Sequence, residues 1–139
     1  MPYGTDVQIE PGAQSRAAHT VVESDTAVAL GTGEVPVLAT SRLVAWAEAA
    51  TLETLRGHVD EGSTTVAMRV NLDHLRPVAV GAEVNVVCTL ERIDGRRYIF
   101  VASMLDDCND VVATGRIVRV LVEREPFVDA ACGRARTEP

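Results

Sequence analysis

Aromatic residues are scarce in this chain, 4% of 139 residues, with one Trp, two Tyr and two Phe. A core drawn from such a composition is filled by Val, Ala and Leu rather than by rings. Basic residues are also short, 13 Arg and Lys against 20 Asp and Glu, for a net charge of −7. That balance argues against nucleic-acid binding, which relies on cations that neutralise phosphates, although a local basic patch still suits a phosphate-bearing small molecule. No apolar run approaches the ~20 residues of a membrane helix, so no membrane partner is expected. The opening MPYGTDVQIEPGAQ lacks the cationic-then-apolar order of a signal peptide. Cys88, Cys108 and Cys132 are odd in number and without CxxC spacing. They read as reduced thiols of a cytoplasmic protein, not as a disulfide framework. No His, Cys, Asp and Glu stand at metal-ligand spacing, and no Gly-rich loop leads into a helix, so neither metal nor cofactor is expected.

What is present suffices for one domain with its own core, 47% hydrophobic and 24% charged. Residues 1–14 read as a flexible lead-in, 15–125 as a single domain and 126–139 as a tail without periodicity. RAAHTVVES and TAVAL read as a first strand, broken at Ser24 and Asp25. GTGEVP is a loop, and either Thr40 or Ser41 is expected to cap the helix that follows and stops near Gly57. TTVAMRVNLDHL, VNVVCTLERI, RRYIFVASML and VVATGRIVRVLVE then read as strands, with Asp94-Gly95 marking a hairpin. One helix cannot cover both faces of five strands. The expected class is therefore α+β, a curved antiparallel sheet of about five strands wrapped around one long central helix, the hotdog arrangement. Its open edges predict pairing with a second copy, a homodimer.

In ATSRLVAWAEAATLETL, residues 39–55, the helical period puts Leu43, Ala47, Ala50 and Thr54 on one arc and Arg42, Ala49, Glu53 and Arg56 on the opposite one. Glu48 joins neither. Its neighbours at three and four residues are Val44, Ala45, Thr51 and Leu52, which offer no cation. A carboxylate at the flank of an apolar stripe either reaches past the edge to water or is held in a cleft. In VAMRVNLDHL the period of two puts Val66, Met68, Val70, Leu72 and His74 on the face expected to meet the helix. His74 there is a candidate acid/base partner for Glu48. Thr40, at the helix start, has its hydroxyl where backbone N–H groups favour negative charge. Taken singly, each has an ordinary reading as a cap, a rim carboxylate or a structural histidine. His19 and His58 are weaker candidates.

At Thr40, Glu48 and His74 together, the chain resembles the hotdog-fold thioesterases of the fluoroacetyl-CoA thioesterase-like family. VLATSRLVAWAEAA carries the Thr and the Glu eight residues on, VNLDHLRPVAVGAEV carries the His, and ATGRIVRVLVE places Arg119 where the family has an arginine. The resemblance covers roughly residues 15–125 and implies hydrolysis of an acyl-CoA thioester. Thr40, Glu48 and His74 would be catalytic, with Glu48 as nucleophile or water-activating base. Ala67 and Arg119 would be substrate-binding. Two departures bear on the substrate. A family glycine that accommodates the thioester carbonyl falls near Ala67, and GTGEVPVLAT has none of the aromatics of the fluoroacetyl-specific lid. The fluoroacetyl group is accordingly not implied. Arg92, Arg96 and Arg97 around the hairpin are candidates for CoA phosphates, and a solvated turn is their ordinary reading. The rivals are a hotdog hydratase or dehydratase, a non-catalytic acyl-CoA or small-ligand binding protein, and a structural dimerisation domain.

Overall fold

Alternation with a period of two carries the middle of the sheet. In β3 (Glu83–Asp94) the side chains of Val84, Val86, Cys88 and Leu90 are fully buried, and in β4 (Arg97–Leu105) Tyr98, Phe100, Ala102 and Met104 are buried in the same way. The strands pair antiparallel about a tight turn in which Gly95 has φ 60°, a left-handed conformation that glycine adopts without steric cost. The computed structural model describes residues 8–137. Within it β1 (Gln14–Thr20), β2 (Ser63–His74) and β5 (Val111–Glu123) complete one antiparallel sheet in the order β1-β3-β4-β5-β2.

Helix α2 (Thr40–Leu55) lies on the apolar face of this sheet and buries Leu43, Ala47, Ala50, Thr51, Thr54 and Leu55. The small side chains of Ala47 and Ala50 let its axis come close to β3 and β1. Ser15 of β1 fastens it there, donating to the Ala50 carbonyl at 2.9 Å and lying 2.7 Å from the Thr54 hydroxyl. This is the hotdog arrangement expected from the sequence. The strand order also leaves β2, with 12 residues, as a free edge.

Several local expectations are corrected. TAVAL is not strand. Thr26 accepts from the Ala29 N–H at 3.2 Å and starts the short helix α1 (Ala27–Leu30), which Gly31 ends at φ 72°. Neither Thr40 nor Ser41 caps α2, because Ala39 occupies the cap position and supplies no side-chain bond. The C-terminal segment is helix α3 (Arg124–Thr137). In β2 a bulge between Ala67 and Arg69 makes Met68 the extra residue. The bulge shifts the alternation by one, so Ser63, Thr65 and Ala67 face the helix before it and Val70, Leu72 and His74 face it afterwards. Val66 and Met68 leave the predicted core face, and Met68 is exposed.

The segment before α2 is stitched to the segment after β2. The Leu38 N–H donates to Val78 at 2.8 Å, Val37 bridges Ala79, and Asp25, buried against the Val22 N–H, holds Arg42 at 3.0 Å. These contacts bring the first turn of α2 beside the last residue of β2.

On the opposite flank His19 of β1 stacks on Trp46, with centroids 4.2 Å apart and planes 7° apart. Burial pushes the His19 imidazolium down from its ordinary value, and the Asp25 carboxylate offsets this in part. The folded state therefore binds less proton at His19 than the unfolded chain. The stability tied to that neutral ring is present above about pH 6.5 and declines as pH falls towards the lowered value. Trp46 is the sole tryptophan, and imidazolium quenches indole. Its fluorescence is expected to titrate with a midpoint below about 6.5 and to lose that step in His19→Gln. A midpoint above that value contradicts this assignment.

Candidate active site

Thr40 is the first residue of α2 and His74 the last of β2. Their side chains meet directly, with Thr40 Oγ1 2.8 Å from His74 Nδ1. The hydroxyl that does not cap the helix thus holds the imidazole. His74 Nε2 is buried and has no hydrogen-bond partner among the described residues. A buried imidazole nitrogen left open is unusual. Beside the pair runs a 210 Å³ groove lined by Val37, His74, Leu75, Arg76 and Pro77.

Glu48 is half-buried on the flank of α2. Within one chain it does not reach this pair. Eight residues along a helix is about 12 Å of rise. Among the described residues its carboxylate makes no hydrogen bond and no ion pair within 4 Å. It lies instead towards Arg119. That guanidinium is 7% exposed and donates from Nε to Thr65 Oγ1 at 2.7 Å, from one terminal nitrogen to the Thr65 carbonyl at 2.8 Å, and from the other to Thr51 Oγ1 at 3.3 Å. Burial pushes Arg119 down from its ordinary value, and the Glu48 charge acts the other way. All the direct partners are neutral oxygens, so Glu48 is the anion that compensates a buried cation. Ala67 stands opposite Arg119 in the β2–β5 ladder, at the start of the bulge.

The five candidates therefore fall into two groups, Thr40 with His74 at the start of the helix and Glu48 with Arg119 and Ala67 beside its middle. The hydroxyls of Thr51 and Thr65, which hold Arg119, are not singled out by sequence reasoning. A buried Thr on the apolar arc of the helix is the signal that was available.

The profile of the family described as FlK, fluoroacetyl-CoA-specific thioesterase, matches residues 21–125. The chain belongs to that family. It is a thioester hydrolase by that membership. A search of curated proteins finds no match. Solved structures share the hotdog fold. A hot-dog-like protein from Thermanaerovibrio acidaminovorans has a TM-score of 0.84 at 23% identity, over 96% of this chain and 97% of that one. A Thermus thermophilus hypothetical protein described as a thioesterase superfamily member has 0.84 at 25%, over 93% and 94%. The fluoroacetyl-CoA thioesterase FlK itself has 0.83 at 20%, over 95% and 99%.

This FlK-family chain has other reactive groups that lie outside the two candidate clusters. Cys88 is fully buried in β3, and burial pushes its thiol up from the ordinary value, with a bond to Thr54 acting against it. Cys108 lies in the exposed β4–β5 turn, where Asp107 first and then Asp106 push it up as well. Neither thiol is poised as a thiolate nucleophile. Arg92 and Arg97 are exposed near the hairpin, while Arg96 donates to the Leu121 carbonyl at 3.4 Å. His58 Nδ1 lies 2.8 Å from the Gln8 carbonyl and takes no part.

Proposed function

We propose that this protein is an acyl-CoA thioesterase of the cytoplasm whose hydrolytic site joins Thr40 and His74 of one copy to Glu48 of a second. The observation that carries the reading is the 2.8 Å Thr40–His74 bond at the helix start, with Glu48 about 12 Å farther along the same helix. A second copy supplies what one chain keeps apart. The free edge of β2 is long enough to pair with another β2, and such pairing protects it from wrong partners.

In this site the Glu48 carboxylate attacks the thioester carbonyl to give a transient anhydride, or takes the proton of an attacking water. Either way the C–S bond breaks and the electron pair leaves on the CoA sulfur. In the first route a water then opens the anhydride, releasing the free acid and restoring the Glu48 carboxylate. His74 passes a proton to that thiolate. The Thr40 hydroxyl and the N–H groups of the first turn of α2 stabilise the oxyanion that forms on the way. Ala67 flanks the carbonyl. Arg119 acts from beneath, through the Glu48 charge.

An acyl-CoA substrate is supported by the family and by FlK structures holding fluoroacetate with CoA, or acetyl-CoA. Fluoroacetyl itself is not favoured, since the segment from Ala27 to Leu38 has no aromatic residue to close over so small a group. Among the described residues no helix is long and apolar enough to cross a membrane. Thiol release from acyl-CoA esters of graded length, aromatic esters included, tests the reading. Turnover of at least one ester is expected. Binding of esters without release of thiol from any of them favours the non-catalytic binding protein instead.

A further inference from the structure

The helix face that carries Glu48 continues past it to a second and larger opening. Between the last turn of α2 and the start of β2 lies a cleft of about 350 Å³. Leu52, Leu55 and Val59 supply its apolar wall, and Ser63 and Thr65 stand along β2 within it. Leu52 is four residues after Glu48, its neighbour one helical turn on. Thr65 is the residue that accepts from Arg119, the cation below Glu48. The cleft therefore begins one helical turn beyond Glu48, on the side away from the start of the helix.

Its two inner hydroxyls have unused capacity. Ser63 and Thr65 are 7% and 5% exposed and, two apart on one strand, point to the same face. Thr65 Oγ1 accepts from Arg119, which leaves its own proton to donate, and Ser63 Oγ makes no hydrogen bond among the described residues. Ser63 Oγ is not among the buried side-chain atoms that lack a partner, so this hydroxyl faces the opening, where a bound group can reach it. The charges at the rim cancel, with Arg56 and Arg124 against Asp60 and Glu61. Arg56 is paired with Glu53 at 2.7 Å, and Arg124 donates to the Glu61 carbonyl at 3.0 Å. With Arg56 taken up by Glu53, the rim carries no excess of positive charge, which suits an uncharged oxygen and not a carboxylate.

We infer that this cleft receives the acyl chain and selects acyl groups larger than acetyl that carry a hydroxyl or keto oxygen, which Ser63 and Thr65 bind. The volume corresponds to roughly a dozen water-sized groups at ~30 Å³ each, far more than two carbons need. The apolar wall takes the methylenes and the hydroxyl pair takes the oxygen. The inference rests on the thioesterase reading above and adds its substrate class.

The test compares kcat/KM for acetyl-, hexanoyl-, 3-hydroxyhexanoyl- and adipyl-CoA. The 3-hydroxyhexanoyl ester is expected to lead hexanoyl by roughly tenfold, the worth of one well-made hydrogen bond, and to lead adipyl by more. Ser63→Ala is expected to bring the ratio of the first two towards one. Leu52→Trp, at a helix position 44% exposed that tolerates a larger side chain, is expected to lower the ratio of 3-hydroxyhexanoyl to acetyl turnover by tenfold or more. Equal rates for hexanoyl and its hydroxy derivative, or a preference for adipyl or acetyl, overturn this inference and leave the thioesterase reading standing. If no ester is turned over, the thioesterase reading falls. The cleft is then judged by calorimetric binding of the two six-carbon esters to wild type and Ser63→Ala, where equal affinities overturn it.

Discussion

Glu48→Gln is expected to lower thioester turnover by on the order of 10³ or more, with the fold and its thermal midpoint nearly unchanged. The substitution keeps the size of the side chain and removes its charge, so neither attack on the carbonyl nor proton removal from water survives. It also takes from Arg119 its compensating anion, leaving a buried cation held by hydroxyls and a carbonyl only. Because Glu48 is half-buried at the flank of α2, water still reaches that side, and the structural loss should be small beside the catalytic one. Circular dichroism and urea denaturation separate the two. A variant that keeps wild-type turnover would return Glu48 to the role of counter-charge for Arg119.

The second large effect is at His74. His74→Ala is expected to cost between about 10² and 10⁴ in kcat, since the proton for the departing sulfur is then lost. Thr40→Val removes the hydroxyl that holds Nδ1, which in the proposed site also contributes to the oxyanion, and a loss of about 10²-fold is expected. The two side chains touch, so their effects should not add. The double variant should lie close to His74→Ala alone, as groups acting as one unit do. Additive losses would mean that Thr40 works apart from the imidazole. Unequal effects on leaving groups give a further check, because an ester with a low-pKa thiol needs less help from His74 and should be rescued in part.

Much of this site can be read from sequence because the relevant signals are local. The flank position of Glu48 follows from helical period alone, and the absence of a cation at three or four residues follows with it. The order of one helix and then four strands fixes an α+β wrap, and Asp94-Gly95 fixes the hairpin. What escapes is set by tertiary contact. Alternation through TTVAMRVNLDH assumes an unbroken pleat, so it misplaces Val66 and Met68 and reverses the face of Ala67, whereas the real strand inserts Met68 as a bulge. Capping statistics favour Thr40 as a helix cap, yet its hydroxyl is drawn to His74 because Leu38–Val78 and Val37–Ala79 bring the two segments together. Strand alternation points His74 towards the helix that carries Glu48, but it takes no account of the length of that helix. Eight residues of helix rise separate Glu48 from Thr40, the partner of His74, and the proposed shared site rests on that separation.

The most direct test of the account is to mix two inactive variants, Glu48→Gln and His74→Gln, and allow their subunits to exchange. If each site takes Glu48 from one copy and Thr40–His74 from the other, half the dimers become mixed, and each mixed dimer holds one site with no substitution. About a quarter of wild-type thiol release is then expected at equal mixing. Recovery that stays at the level of the separate variants, with exchange verified, would mean that one chain supplies Glu48 and His74 to the same site, and would contradict the account.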